Sequence, residues 1–220
     1  MAGTLYIVAT PIGNLEDITF RAIEILKKID LIAAEDTRHT RILLDRYQIK
    51  TPTTSYFEYN KVRKTDYLLK VLKEGRSVAL VSDAGTPGIS DPGYKIIREC
   101  IDNNIPVIPI PGPSGIITAL TISGKPTDKF TFEGFLSNKS ARRKNQLKRL
   151  KDEERTVVLY ESPHRIIKLL DDILEVYGDV EIVLARELTK KFEEVRREKT
   201  SLLIAHFKSM PPKGEFIVII

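Results

Sequence analysis

Short β-branched runs alternate with longer stretches of helical period along almost the whole chain. That alternation restricts the fold more than any other feature. Residues 5–9 read as a buried strand ending at Thr10-Pro11. Ile18, Ala22, Ile25, Leu26 and Ile29 then recur at helical spacing. Residues 31–34 predict a second strand and 37–47 a second helix, while 60–74 predict a helix stopped by Gly75. Residues 77–81 form a strand entering a Gly- and Pro-rich loop, followed by a helix at 94–103 and a strand at 107–110. Such βαβα order calls for a largely parallel sheet with helices on its faces.

Pro109, Pro111 and Pro113, with Gly112 and Gly115, are expected to break any regular element, so a domain junction is placed there. The expected domains are residues 1–112 and 113–220. In the second, strands are expected at 130–133, 156–160, 181–185 and 215–220. Helices are expected at 141–152, 165–177 and 201–207. The fold class is α/β, as two α/β domains with a ligand cleft between them.

Of 220 residues, 42% are apolar and 30% charged, which excludes a disordered chain. A chain of this length buries about 70% of its unfolded surface. One cysteine, Cys100, excludes an internal disulfide framework and fits a reducing compartment. No apolar run approaches the ~20 residues of a membrane helix, and the first 20 residues lack a secretory pattern. A cytoplasmic protein with no membrane partner is expected. The net charge of +5 is too mild to name a partner by itself.

The most informative loop is VSDAGTPGISDPG at 81–93. It leaves a strand and enters a helix, where open α/β sheets bind ligands. Gly85, Gly88 and Gly93 let backbone approach a ligand, and Asp83 and Asp91 can accept hydrogen bonds from ribose or amino groups. A tight structural turn is the competing reading, but it needs fewer glycines, prolines and aspartates. Gly88 and Gly93 have Walker A spacing, yet Tyr94 precedes Lys95 and no Ser or Thr follows. A G-x-G-x-x-G pattern is absent. A nucleotide-like ligand fits, but a P-loop or ordinary Rossmann mode does not.

No metal site is expected: His39, His164 and His206 lie far apart and no Cys pair exists. His206 beside Phe207 reads as structural, whereas His39 and His164 follow strand ends. Lys139, Arg142, Arg143, Lys144, Lys148, Arg149 and Lys151 crowd thirteen residues, and Lys190, Lys191, Arg196, Arg197 and Lys199 form a second basic cluster. A solvated helix face explains either one alone; the two together favour a polyanionic partner. Tyr56, Phe57 and Tyr59 are the closest-set aromatics.

Together, LYIVATPIGNL at 5–15, AEDTRH at 34–39, VSDAGTP at 81–87, PGPS at 111–114, FEGF at 132–135, YESPHR at 160–165 and LARELTK at 184–190 resemble one family. The sequence is similar, from about residue 4 to 220, to the ribosomal RNA small-subunit methyltransferase I group of the tetrapyrrole methylase superfamily. The resemblance implies two α/β domains, a homodimer, and S-adenosylmethionine bound between the domains. It also implies methyl transfer to the ribose 2′-hydroxyl of a cytidine in the decoding region of 16S rRNA, in the 30S subunit. Carried over, donor contacts fall on Pro11, Asp83, Gly85, Thr86, Pro87, Gly88, Ile89, Ser90, Ser114 and Gly115. In the second domain they fall on Tyr160, Glu161 and Ser162, with Leu188 and Gly214 as weaker candidates.

Methyl transfer to a hydroxyl requires alignment and a group that takes or stabilises the departing proton's charge. Glu35, Asp36, Glu161 and His164 are the candidate catalytic groups, with Asp36 equally suited to cap a helix. Arg38, Arg41, Arg142, Arg143, Lys144, Arg165, Arg186 and Lys190 are the candidate RNA contacts. Members of the group often carry histidines where this chain has Phe57 and Tyr59, which excludes a catalytic histidine there and favours stacking on a base. Many members also continue past the strand that ends here at Ile220. A tetrapyrrole methyltransferase and a non-enzymatic RNA-binding assembly factor are the alternatives. The basic helix argues against the first and the intact 83–93 loop against the second.

Overall fold

The computed structural model describes residues 2–220 and divides into two compact units, Met1–Ser114 and Gly115–Ile220. In the first unit β1 (Leu5–Val8) leads to α1 (Phe20–Lys28), β2 (Leu31–Ala34), α2 (Thr37–Arg46) and β3 (Thr53–Ser55). Then follow α3 (Lys61–Lys73), β4 (Val78–Val81), α4 (Tyr94–Asp102) and β5 (Val107–Ile110). The strand order is β3-β2-β4-β1-β5, and every pair is parallel. Consequently all five carboxyl ends lie along one edge of the sheet. Leu5, Ile7, Leu31, Ala33, Val78 and Leu80 pack on one face with Leu68, Leu72 and Ile96 of α3 and α4. Val8, Ile32, Ala34, Ala79 and Val81 pack on the other with Ala22, Leu26, Leu43 and Leu44 of α1 and α2. A parallel sheet covered on both faces needs such unbroken apolar strands.

The second unit opens with α5 (Gly115–Ser123) and continues through β6 (Phe130–Phe135), α6 (Ser140–Lys151), β7 (Thr156–Glu161) and α7 (Ile166–Tyr177). It closes with β8 (Glu181–Arg186), β9 (Glu194–Lys199), α8 (Thr200–Ser209) and β10 (Phe216–Ile219). Its sheet runs β6-β7-β10-β8-β9; only β6 and β7 pair in parallel. Leu147 of α6, Leu169, Leu170 and Ile173 of α7, and Leu203 and Phe207 of α8 cover one face of this sheet.

β5 falls at 107–110 as expected, and Pro109 is tolerated inside it because β5 is an edge strand, so the missing N–H leaves no gap in the sheet. Three elements, β3, α5 and β9, are not among those the sequence predicts. Gly115 opens α5, whose run GIITALTIS is apolar all round and so shows no amphipathic period. The second basic cluster is mostly β9, an edge strand paired along its length with β8. Charged side chains on such an edge discourage pairing with another chain.

Candidate functional site

The carboxyl edge of the first sheet gathers the loops after β1, β2 and β4. Thr10 and Gly85 exchange backbone hydrogen bonds of 2.9 and 3.0 Å, which lock the loops after β1 and β4 together. The buried Thr10 hydroxyl adds a bond to the Ser82 carbonyl at 3.0 Å. Of this latch the sequence singles out Gly85 but not Thr10, although a threonine placed before a proline at a strand end was the available signal. Pro11 is buried directly after it. Farther along the β4 loop, Gly88 has φ +87°, and a Cβ on Gly93 would come within 2.9 Å of the Gly88 backbone. The loop therefore folds back on itself in a way that only glycine at 93 permits. Thr86 and Gly88 are half-buried and Pro87 is buried, whereas Ile89 and Ser90 are exposed, Ser90 at φ +63°.

Beside that loop stand the acidic residues at the end of β2. The Asp36 amide donates to Asp83 Oδ1 at 3.0 Å, and the Asp83 amide lies 3.5 Å from Glu35 Oε2, a long reciprocal contact. Burial raises the pKa of Glu35, and the charge of Asp83 adds to the rise. Asp36 is the opposite case. Its carboxylate caps α2 through the Arg38 amide at 2.8 Å and grips the Arg38 guanidinium at 2.9 Å. These bonds hold it down to about 2. Asp36 thus serves as a helix cap, and a carboxyl that acidic makes a poor proton acceptor. Arg38 and Arg41 are exposed on α2.

At the corresponding edge of the second sheet, Tyr160 packs edge-on against Phe132 and Phe135, with centroids 4.8 and 5.8 Å apart. Gly115 sits close by: a Cβ there would be 3.5 Å from the Tyr160 hydroxyl. Glu161 has a side chain 0% exposed. Its Oε1 accepts the Ser162 amide at 2.8 Å, and Arg165 Nε lies 3.1 Å away but poorly aligned for a hydrogen bond. Oε2 is buried without a hydrogen-bond partner, and burial raises this carboxyl against the opposing pull of Ser162, Arg165 and Arg143. Arg165 also donates to the Leu136 carbonyl at 2.5 Å, so it ties the loops after β6 and β7 together. His164 is exposed at the entry to α7. Leu188 is buried between Glu187 and Thr189, two non-glycine residues at φ +49° and +65°. The backbone of Gly214, at φ +82°, runs so close to Glu187 that any Cβ would overlap its carboxylate.

The basic clusters require correction. Arg143 was expected to meet RNA, but it is 2% exposed and its guanidinium pairs with buried Asp172 of α7 at 2.6 Å. The sequence signal was Asp172 itself, which shares the inward face of α7 with Leu169 and Ile173. Lys144 bonds Glu175 at 2.5 Å. Arg142 and Arg149 remain exposed on α6. In the second cluster, Arg196 lies between Glu194 and Glu198, and Arg197 donates to the carbonyls of Ile122 and Ser123. Lys190 bonds Glu187 at 2.9 Å, and Arg186 bonds Glu194 at 2.6 Å. Much of that cluster's charge is therefore matched within the second unit. Among the described residues no group of three His, Cys, Asp or Glu is placed to hold a metal. None of their helices is long and apolar enough to cross a membrane.

The model of the tetrapyrrole (corrin/porphyrin) methylases matches residues 4–203 of this chain. The chain is 52% identical to the ribosomal RNA small subunit methyltransferase I of Synechocystis sp., over 99% of this chain and 78% of that one. It is 50% identical to the Thermotoga maritima protein of the same name, over 99% and 98%. Its fold is similar to that of a solved uroporphyrin-III C-methyltransferase from Thermus thermophilus complexed with S-adenyl homocysteine. There the TM-score is 0.72 at 16% identity, with 99% and 97% of the two chains covered.

Proposed function

This chain belongs to the tetrapyrrole methylase family, a family of S-adenosylmethionine-dependent methyltransferases, and from that premise we propose that its methyl acceptor is ribosomal RNA. In this reading the methyl group goes to the ribose 2′-hydroxyl of a cytidine in the decoding region of 16S rRNA, within the 30S subunit. The observation that carries it is 52% identity, across 99% of the chain, to a relative named as a methyltransferase of small-subunit ribosomal RNA. The exposed cations of α6, Arg142 and Arg149, give additional support, because phosphate contacts supply much of the affinity for RNA. A homodimer acting in the cytoplasm is part of the same proposal.

The residues at the edge of the first sheet suit a nucleoside-bearing donor. Asp83 is half-buried, and its Oδ1 is fixed by the Asp36 amide, so the carboxylate is preorganised to accept from a ribose diol. The folded-back loop from Gly85 to Gly93 offers backbone N–H and C=O groups to the heterocycle and the amino acid portion. When bound, the donor supplies an electrophilic methyl group on a positively charged sulfur. The chain supplies orientation and a proton acceptor. Among the candidate carboxylates Glu35 fits best. Asp36 is held too acidic by Arg38, and Glu161 is sealed inside the second unit. Glu35 is half-exposed at a strand end, and its raised pKa brings it closer to the operating pH of a base. Arg38, exposed beside it, suits a substrate phosphate.

The test offers methyl-labelled S-adenosylmethionine with three acceptors: small ribosomal subunits lacking ribose methylation, naked 16S rRNA and a tetrapyrrole. Label in RNA supports the reading, and label confined to the tetrapyrrole overturns it.

A further inference from the structure

The loop between β3 and α3 belongs to the same carboxyl edge, since the Tyr56 amide donates to the Ala34 carbonyl of β2 at 2.7 Å. It lies one strand away from Glu35, outside the residues assigned above to the donor and the proton acceptor. Its Tyr59 is 96% exposed, and Phe57 is exposed beside it. The rings do not stand out because the loop is slack. Phe57 and Asn60 hold each other: the Phe57 amide donates to Asn60 Oδ1 at 2.8 Å, and the Asn60 amide donates to the Phe57 carbonyl at 3.0 Å. Asn60 Nδ2 reaches Ser55 Oγ at 3.2 Å. Below, Tyr56 is 1% exposed, with its hydroxyl 3.2 Å from that of Thr65. A well-tied turn thus displays two aromatic rings to solvent.

The charges around the turn identify the partner's chemistry. The first turn of α3 carries Lys61, Arg63 and Lys64 and no acidic residue. Cations there oppose the helix macrodipole, which favours anions at its amino end. Helix stability alone would not choose this pattern, whereas an anionic partner would. Lys61 is offset by Glu58, and Lys64 donates to the Thr54 hydroxyl at 2.7 Å, while Arg63 is exposed. An unpaired nucleotide combines a planar π-face with negative charge, and single-stranded RNA is recognised through both.

We propose that the turn from Tyr56 to Asn60 is a stacking platform for an unpaired base of the substrate RNA, with Tyr59 as the stacking ring, Phe57 flanking it and Arg63 meeting a nearby phosphate. The proposal rests on the RNA reading above. It adds a specificity-determining contact one strand away from the base.

The experiment measures steady-state methylation of unmethylated small subunits by the full chain and by Tyr59→Ala, Tyr59→Phe and Phe57→Ala. Calorimetric S-adenosylmethionine affinity and light-scattering mass are measured on the same samples. Tyr59→Ala should raise the KM for subunits on the order of tenfold, the usual loss for a truncated stacking ring. Donor affinity and mass should stay unchanged, and Tyr59→Phe should behave as the unaltered chain. Unchanged KM in Tyr59→Ala overturns the platform, as does a Tyr59→Phe defect equal to that of alanine. A Tyr59→Ala defect accompanied by altered mass also overturns it, assigning the rings to a protein contact. If the unaltered chain methylates no RNA, the underlying reading fails together with the platform.

Discussion

Glu35 and Asp36 are neighbours in sequence with opposite electrostatic fates, and their difference makes the chemistry testable. Asp36 gains a cap and a guanidinium, while Glu35 gains burial and a nearby Asp83. If Glu35 accepts the proton, transfer must rise with pH through an inflection above the ordinary carboxylate value of about 4.3. Glu35→Gln should remove that inflection and lower kcat by about 10²–10⁴-fold, read in a pH–rate profile. The stability sign follows from the same shift. A raised folded-state pKa gives a contribution that is full below the unfolded pKa and is lost as pH rises through the folded one. At neutral pH ionised Glu35 is thus a small burden, and Glu35→Gln should melt slightly higher than the parent while losing activity. Asp83→Ala removes the acceptor of the Asp36 amide and should weaken the donor at least several-fold by calorimetry; unchanged affinity would remove Asp83 from the site.

Helices α6 and α7 show how a surface reading of charge can mislead. Arg143→Ala should cost about 3–5 kcal/mol in urea unfolding, because it leaves Asp172 buried without its partner. Replacing Arg143 and Asp172 together by apolar residues of similar volume should recover most of that. Arg142→Ala and Arg149→Ala should leave stability nearly unchanged and each reduce the salt dependence of RNA binding by about one in slope. In the loop between α8 and β10, Gly214→Ala meets both an unfavourable φ and the Glu187 carboxylate of the loop after β8, and should destabilise by about 1–3 kcal/mol. Seven like-signed residues in thirteen announced a basic segment, but spacing alone did not say which of them turns inward. The clue lay 29 residues away, in an aspartate on the apolar face of another helix.

Strand positions in the first unit were legible because a parallel sheet buried on both faces writes each strand as an apolar run, as in Leu31–Ala34 and Val78–Val81. Elements that break this rule were hidden. α5 is apolar all round, β9 is charged along an edge, and Thr53–Ser55 is too short to show a period. The loops of the candidate site could be located by glycine, proline and aspartate content. Their pairing was not visible, since Thr10 and Gly85, or Asp36 and Asp83, meet only once β1, β2 and β4 lie side by side. The central claim is the acceptor atom, and nucleoside analysis tests it most directly. Unmethylated small subunits would be treated with the chain and S-adenosylmethionine, and their 16S rRNA digested and resolved by mass spectrometry. The account predicts 2′-O-methylcytidine from the decoding region, formed only when both are present; methylation of a base, or no methylated nucleoside despite donor binding, would contradict it.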